Sequence, residues 1–221
     1  RYNCHSWCQM FVSIDGIDGC GKSTLTTNVV AMLRDRGQNV LQTREPYCQD
    51  VRDRIARGVD PFVALSLFLM DRDHHVADVI VPNRQAIVVT DRYGLSTAAY
   101  QGYLLRDRLP DAVTAIWQMN NALFPHPDRS YIVDVPVDVA LARIHRRPGT
   151  DVYEHREILT QVRDNFLVLA DRDPSARVID GTQPPDVICR IVCADILTEP
   201  ADGGTDKQAK NKQDIGDMIS C

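Results

Sequence analysis

The sequence has almost no lysine, although it is rich in arginine. Lys22 is the only lysine among residues 1–200, and the other three lie near the end of the chain. Arginine serves wherever else those 200 residues carry a permanent positive charge. A lysine kept at one position therefore indicates a need for a slender ammonium group, which the broad guanidinium of arginine cannot replace.

The chain also lacks an excess of positive charge and any long apolar run. Its formal net charge of −5 leaves no electrostatic footprint for bulk nucleic-acid binding. The longest apolar stretch, 62–70, falls well short of the roughly 18 to 20 residues of a membrane span. The first residues show no signal-peptide pattern either. We expect a cytoplasmic protein that binds neither nucleic acid nor membranes.

Length and composition predict a single domain. A chain of 221 residues with 44% hydrophobic residues can bury one good core. We expect this domain at 10–200, with residues 1–9 and 201–221 forming disordered extensions because both ends lack a folding pattern.

The seven cysteines are an odd number scattered along the chain, and we interpret them as reduced thiols. Cys4 and Cys8 flank His5 but lack a second ligand pair at zinc-site spacing, so a metal site there is not favoured. Cys189 and Cys193 lie one helical turn apart on an apolar face and are expected in the core.

Residues 16–23 match the P-loop pattern G-x-x-x-x-G-K-[ST]. In such a loop, backbone N–H groups surround phosphates, the lysine contacts the β and γ oxygens, and the hydroxyl contacts magnesium. The flanks agree, because 10–15 predicts a buried strand and 23–36 a helix that ends at Gly37. The alternative is a glycine-rich turn that only connects strand and helix. The predicted ATP-binding residues are Gly16, Ile17, Asp18, Gly19, Cys20, Gly21, Lys22, Ser23 and Thr24.

Cys20 lies inside this loop and before a helix N-terminus. That position predicts a lowered thiol pKa and an oxidisable side chain.

Short β-rich runs alternate with helical segments along the chain. The runs are 11–15, 39–43, 86–91, 131–135 and 177–180, and each is too apolar to be half exposed. They predict an α/β fold with a five-stranded parallel sheet and helices on both faces. Asp60 and Pro61 predict the start of a long helix that reaches about Val81.

Charged segments follow two of these strands. Arg44-Glu45-Pro46 comes after the second strand and Asp91-Arg92-Tyr93 after the third. Ligands of open parallel sheets bind at the carboxyl ends of the strands, so two arginines there favour a second phosphate site. The alternative is that Arg44 and Arg92 are surface ion-pair partners.

These segments resemble the thymidylate kinase family. The resemblance is carried by 16–24, Arg44-Glu45-Pro46, Phe68 with Arg72 and His75, and the run DRYGLSTAAYQG at 91–102. It extends from about Met10 to Leu197. It implies a P-loop kinase with a mobile lid, usually a homodimer, that transfers the γ-phosphoryl group of ATP to dTMP with Mg²⁺ and gives dTDP and ADP.

The resemblance also implies residue roles. Lys22, Arg92 and Asp18 belong to the catalytic centre, and Ser23 and Asp91 hold the metal, the latter through water. Phe68 taken alone would be interpreted as a core residue. Its position four residues before Arg72 places both on one helix face, where a ring can stack on a pyrimidine. The implied substrate-binding residues are Arg44, Phe68, Arg72, Arg92, Thr97, Tyr100 and Gln101.

The lid is expected at about 143–156, where Arg143, Arg146 and Arg147 cluster. The variable P-loop positions contain no basic residue, and the resemblance implies that the catalytic arginine then comes from the lid. We favour Arg147 for that role. The alternative is a solvated basic helix end. Val152 stands where the family often has an arginine.

Three other functions share part of this sequence pattern. A GTPase switch needs an N-K-x-D element, which residues 23–200 cannot contain because they have no lysine. A kinase for another nucleoside monophosphate or a deoxynucleoside would use the same loop and arginines. A catalytically weak nucleotide-binding homologue is the third possibility, because of Val152.

Overall fold

The computed structural model describes residues 10–83, 85–144 and 152–198 of the chain. The strands are β1 (Met10–Asp15), β2 (Val40–Arg44), β3 (Ile87–Asp91), β4 (Arg129–Asp134) and β5 (Ala176–Asp180). The helices are α1 (Lys22–Asp35), α2 (Gln49–Ala56), α3 (Pro61–His75), α4 (Gly94–Leu104), α5 (Ala112–Leu123), α6 (Val137–Ile144), α7 (Val152–Arg172) and α8 (Pro185–Leu197). The five predicted strands are confirmed to within two residues at each end.

All five strands run parallel, in the order β2-β3-β1-β4-β5. Val12 on β1 pairs with Val89 on β3, and Ile14 pairs with Tyr131 on β4. Strands β2 and β3 lie on one side of β1, and β4 and β5 lie on the other. The order in which strands are added to the sheet therefore changes direction at β1. Ligands of open parallel sheets bind at such a reversal, beyond the carboxyl ends of the strands. The P-loop begins there.

The helices form two groups that cover the sheet. Helices α1 and α8 pack against each other, and α4, α5 and α7 form the second group. Cys189 and Cys193 on α8 are buried, as predicted. The four cysteines within the described ranges are free thiols. None of the helices that the structure describes combines the length and apolar character of a membrane span.

The predicted long helix is confirmed at its start and in its extent. The side chain of Asp60 accepts a hydrogen bond of 2.9 Å from the backbone of Phe62, and Pro61 is the first helical residue. Helix α3 continues beyond His75 through a π turn at Val76–Ile80 and a 3₁₀ turn at Val81–Asn83. This helix brings Phe68, Arg72 and His75 to the carboxyl edge of the sheet.

Residues 125–128, which precede β4, make contacts at the amino ends of the strands. The backbone N–H of Phe11 donates to the side chain of Asp128 at 2.7 Å. His126 Nε2 lies 3.0 Å from Asp173 Oδ2, to which Trp117 Nε1 also donates at 3.1 Å. This hydrogen bond raises the pKa of His126. Burial would raise the pKa of Asp173, but hydrogen bonds from His126 and Ser175 lower it to about 2.

The contact between His126 and Asp173 makes stability depend on pH. Folded His126 holds its proton more strongly than the unfolded residue, whose pKa is 6.5. The extra stability is therefore complete below that value and disappears as the pH rises through the raised pKa. We expect His126→Gln to lower the free energy of unfolding more at pH 5.5 than at pH 9, in urea titrations. The control is His74→Gln, because His74 is exposed. Equal losses at both pH values would contradict the prediction.

Candidate functional site

The P-loop lies between β1 and α1, as predicted, and its shape requires glycine. Gly19 has a φ of 80° and Gly21 a φ of 102°, in the left-handed region that side chains rarely adopt. A Cβ atom on Gly19 would lie 2.4 Å from the carbonyl oxygen of Ala140. This close approach brings α6 directly against the loop.

The side chain of Lys22 is buried against the P-loop. It is only 6% exposed, and its Nζ donates to the carbonyl oxygen of Ile17 at 3.2 Å and lies 3.4 Å from Asp18 Oδ1. Arg92 Nη2 pairs with the same Asp18 oxygen at 2.5 Å. Partial burial would raise the pKa of Asp18, but Arg92 and Lys22 hold it below its usual range. The predicted catalytic residues Asp18, Lys22 and Arg92 therefore form one charge cluster.

Ser23 and Asp91, the two predicted metal residues, are in direct contact. Ser23 Oγ donates to Asp91 Oδ2 at 2.5 Å. The other carboxylate oxygen, Asp91 Oδ1, is buried and has no hydrogen-bond partner among the described residues. A buried acceptor of this kind calls for a donor or a cation. A hydroxyl beside a carboxylate is an oxygen set that suits Mg²⁺ and its bound water.

Arg92 contacts both β1, which precedes the P-loop, and α4. Its backbone is left-handed, with a φ of 72°, and its N–H donates to the carbonyl oxygen of Ile14 at 2.9 Å. Its guanidinium carbon lies 5.2 Å from the centre of the Tyr100 ring. The hydroxyl of Tyr100 accepts a hydrogen bond of 2.9 Å from the backbone of Asp18. Burial raises the pKa of Tyr100, so this phenol stays protonated.

A pocket of about 400 Å³ opens beside this cluster. Six predicted residues line it: Asp18, Phe68, Arg92, Thr97, Tyr100 and Gln101. The remaining lining residues are Glu45, Pro46, Arg52, Ile55, Ala56, Tyr93, Ser96 and Leu104. Phe68 therefore contributes to a pocket wall, in agreement with the family resemblance and not with a core position. We call this space the acceptor pocket.

Gln101 carries an unused acceptor in that pocket. Its side chain is 4% exposed, and Oε1 has no hydrogen-bond partner within the described part of the chain. Gln101 is four residues after Thr97 on α4, so both side chains lie on one helix face. A ligand N–H that reached Oε1 would satisfy it.

Two of the predicted substrate residues lie outside the pocket lining. Arg44 ends β2 with an exposed side chain. Arg72 is 1% exposed and lies behind the wall, where it pairs with Glu45 and donates to Thr97 Oγ1 at 2.9 Å. Arg72 thus contacts three lining residues, Glu45, Tyr93 and Thr97, whereas Arg44 is exposed at the end of β2.

Arg52 lines the acceptor pocket, although we did not predict it. It lies on α2, where its Nη1 donates to the carbonyl oxygens of Pro46 and Tyr47. The side chain of Asp71 accepts from the backbone N–H groups of Tyr47 and Cys48, at 2.5 and 2.7 Å. These bonds fix the backbone directly before α2. The available signal in the sequence is that Arg52 follows the second strand within eight residues of Arg44.

Asp15 joins β1 to α4 and was also missed. This fully buried carboxylate accepts hydrogen bonds from the N–H of Tyr93 and of Ser96, both at 3.1 Å. The hydroxyls of Ser96 and Ser13 donate to it at 2.5 and 2.8 Å. Burial raises the pKa of Asp15 despite these bonds. Its position at the end of a buried strand was the one signal in the sequence.

A second pocket, of about 460 Å³, lies on the other side of the P-loop. It is bordered by Cys20, Gly21, Thr24, Leu25, Val133, Arg143, 181–185 and Ile188. Arg143 Nη1 donates to the carbonyl oxygens of Gly19 and Cys20, at 3.3 and 2.9 Å, and Nη2 to that of Gly181, at 3.3 Å. Arg143 thereby joins α6 to the loop. We call this space the donor pocket.

The predicted lid falls mainly on residues that the structure does not describe. Arg146 and Arg147 lie outside the described ranges, and of Val152 only the backbone is described. Arg156, at the end of the expected lid, pairs with Asp138 at 2.6 Å.

The expectation of a lowered Cys20 pKa is wrong. The side chain is 2% exposed, and burial raises the thiol pKa. The positive charge of Lys22 acts in the opposite direction but does not outweigh the loss of water around a thiolate. Cys20 is therefore a packing residue under the loop.

Comparisons with known proteins agree with this geometry. A family model described as thymidylate kinase matches residues 14–191. The chain is 34% identical over 194 residues to a probable thymidylate kinase of Methanoculleus marisnigri, covering 85% of this chain and 94% of that protein. It is 40% identical over 185 residues to the thymidylate kinase of Xylella fastidiosa strain M12, covering 79% and 81% of the two chains.

A solved structure shares the fold. The crystal structure of thymidylate kinase from Ehrlichia chaffeensis matches with a TM-score of 0.68 and 27% sequence identity, over 86% of this chain and all of that one. Family model, relatives and fold agree, and the chain belongs to the thymidylate kinase family.

Proposed function

We propose that the two pockets bind ATP and dTMP on either side of the P-loop. The protein is an ATP-dependent phosphotransferase that phosphorylates dTMP and gives dTDP and ADP. The observation that carries the choice of acceptor base is the buried Oε1 of Gln101, which has no hydrogen-bond partner within the described residues and belongs to a residue that lines the acceptor pocket.

The donor side holds the triphosphate of ATP. The P-loop N–H groups surround its phosphates, and Lys22 contacts the β and γ oxygens. The nucleoside occupies the donor pocket, between Arg143 and 181–185. Ser23 and Asp91 hold Mg²⁺, and the unpaired Asp91 Oδ1 supports this assignment. Mg²⁺ held there would neutralise negative charge that develops on the phosphates.

The acceptor side aligns the phosphate of dTMP. Arg92 and Arg52 line the same pocket and supply two guanidinium groups for this phosphate. The phosphate is already an anion at neutral pH, so the reaction needs alignment and charge neutralisation more than a strong base. Asp18 contacts Lys22 on the donor side and Arg92 on the acceptor side, and so relates the two binding sites.

The pyrimidine is recognised by lining residues from α3 and α4. The ring of Phe68 provides a surface on which the base can stack. Gln101 Oε1 accepts from the N3–H group of thymine, whereas cytosine presents an acceptor at N3 and would leave the glutamine unpaired. Tyr100 lies between base and P-loop and limits the space at the 2′ position of the sugar.

We propose Arg147 as the catalytic arginine from the lid. Its neighbour Arg143 on α6 already contacts the carbonyl oxygens of the P-loop. Arg147 follows Arg143 by four residues in the sequence, and a guanidinium from the lid would neutralise charge on the transferring phosphoryl group.

The test of this function is a coupled ADP-release assay with ATP and magnesium. Offered dTMP, dUMP, UMP, CMP and AMP in parallel, the enzyme should prefer dTMP, and chelation of magnesium should stop turnover. A preference for CMP or AMP would contradict the proposed base recognition. Absence of turnover with every acceptor would indicate a nucleotide-binding homologue.

Gln101→Leu tests the base contact within the same assay. The variant keeps the size of the side chain but removes the buried acceptor, so we expect the KM for dTMP to rise about tenfold and the dTMP preference over dCMP to shrink. The KM for ATP should stay within about twofold of wild type. An unchanged KM for dTMP would remove Gln101 from base recognition.

Arg52 and Arg44 form a matched pair for testing the phosphate site. Arg52→Ala should raise the KM for dTMP about tenfold or more, because Arg52 lines the acceptor pocket. Arg44→Ala should change it less than about threefold, because Arg44 does not line that pocket. Steady-state kinetics at saturating ATP provide the measurement. The reverse order of effects would restore Arg44 as the phosphate ligand.

We also infer a homodimer. Several large apolar side chains on α3 and α5 are exposed in the single chain: Phe62, Val63, Met70, Met119 and Leu123. A second copy that covered some of these side chains would remove them from water. Light scattering should then give about twice the 24.8 kDa of one chain. A mass of one chain at micromolar concentration would contradict the inference.

A further inference from the structure

We propose that Asp15 and Thr90 are positioning residues for the acceptor phosphate. Together they hold the peptide bond between Arg92 and Tyr93 from both sides, and so keep the Arg92 side chain directed at that phosphate. Neither Asp15 nor Thr90 lines the acceptor pocket. The inference rests on the proposed function, in which Arg92 binds the phosphate of dTMP.

Arg92 has a backbone conformation that needs support. Its φ of 72° lies in the left-handed region, which is unfavourable for a residue with a Cβ atom. Such residues persist where the surrounding structure over-determines their geometry. The N–H of Arg92 donates to the carbonyl oxygen of Ile14 at 2.9 Å, which fixes the peptide before Arg92. The conformation also depends on what holds the peptide after it.

Both polar atoms of that following peptide are bonded to buried side chains. The hydroxyl of Thr90 donates to the carbonyl oxygen of Arg92 at 3.0 Å, and the N–H of Tyr93 donates to Asp15 Oδ1 at 3.1 Å. Thr90 and Asp15 are fully buried, so water cannot readily replace either bond. Because the peptide is planar, holding its oxygen and its N–H restricts the ψ angle of Arg92.

The same carboxylate caps the helix that follows. Tyr93, the N-cap residue of α4, directs its own hydroxyl to the carbonyl oxygen of Pro125 at 3.0 Å. The N–H of Ser96, in the first turn, donates to Asp15 Oδ1 at 3.1 Å, and the Ser96 hydroxyl donates to it at 2.5 Å. The acceptor for first-turn N–H groups usually comes from the N-cap side chain. Here Asp15 supplies it, and thereby holds the turn that joins Arg92 to α4.

The direction of the Arg92 side chain depends on this turn. Its Nη2 pairs with Asp18 at 2.5 Å, and its guanidinium carbon lies 5.2 Å from the centre of the Tyr100 ring on α4. Recognition of a phosphate by a guanidinium depends on the relative orientation of the two groups. Loss of the turn geometry should therefore weaken binding of the phosphate, while the nucleoside keeps its contacts with other residues.

The experiment compares the dissociation constants of dTMP and of thymidine, which lacks the phosphate, by isothermal titration calorimetry. We expect Asp15→Ala to weaken dTMP binding about tenfold and Thr90→Val about fivefold, since each frees one side of the same peptide. Thymidine binding should stay within about twofold of wild type in both variants. A general loss of structure would instead weaken both ligands.

Asp15→Asn is the conservative variant. Its side-chain oxygen can still accept from Tyr93 and Ser96, and its amide N–H can donate to the hydroxyl of Ser13. Burial raises the pKa of Asp15, so its surroundings favour a neutral group. We expect dTMP affinity within about threefold of wild type.

Ser13→Ala is the matched control. It removes a donor to the same carboxylate, but on Oδ2, whereas the contacts with Tyr93 and Ser96 use Oδ1. Both affinities should stay within about twofold of wild type in Ser13→Ala.

Arg92→Ala tests the proposed route. If Asp15 acts through Arg92, the double variant Asp15→Ala with Arg92→Ala should bind dTMP about as weakly as Arg92→Ala alone. Additive losses would overturn the route. Unchanged dTMP affinity in Asp15→Ala and Thr90→Val, or equal losses of dTMP and thymidine affinity, would overturn the proposal as well. Should Asp15→Ala fail to fold, Thr90→Val still tests the other side of the same peptide.

The wild-type protein separates this proposal from the function on which it rests. Absence of dTMP turnover by the wild type would contradict the proposed function. A wild type that turns over dTMP, with variants that lose both ligands equally, would refute the positioning role alone.

Discussion

The buried ion pair between Arg72 and Glu45 connects most of the acceptor side. Arg72 comes from α3, Glu45 follows β2, and their other partners come from α4 and α5. Burial would raise the pKa of Glu45, but Arg72 and His75 hold it below its usual range, so the carboxylate remains charged. Loss of one partner would leave an uncompensated buried charge, which typically destabilises a protein by about 3–5 kcal/mol. Four elements therefore have to meet in one arrangement around this pair.

The donor side depends on backbone geometry instead. The P-loop is shaped by left-handed glycines and by the contact of Arg143 with its carbonyl oxygens. Asp15 connects this loop to the start of α4, since its carboxylate accepts from Tyr93 and Ser96. One buried carboxylate thus ties the strand before the P-loop to the start of α4, an arrangement suited to holding two phosphate groups at a fixed separation. Fixed separation is the main requirement of a transfer that needs little acid–base chemistry.

The five strands and the P-loop could be predicted from the sequence, because their signals are local. Apolar runs predicted the strands, and a glycine pattern with one lysine predicted the loop. The contribution of Arg52 could not be predicted, since it depends on hydrogen bonds from the backbone just before α2 to Asp71, which is distant in sequence. The pKa of Cys20 was mispredicted because a helix N-terminus is visible in sequence whereas burial is not. The contact of Asn120 with Arg72 joins residues 48 positions apart and leaves no local pattern.

Asp18 has a consequence for how the site selects among anions. Its carboxylate pairs with both Lys22 and Arg92, so it acts as an internal competitor for any phosphate that binds between them. A simple inorganic anion would have to displace this carboxylate and would gain little, since it would exchange one negative partner for another. A nucleotide bound as proposed would also gain contacts through its base. An aspartate placed between the two cations would therefore favour nucleotides over the small, abundant anions of the surrounding solution.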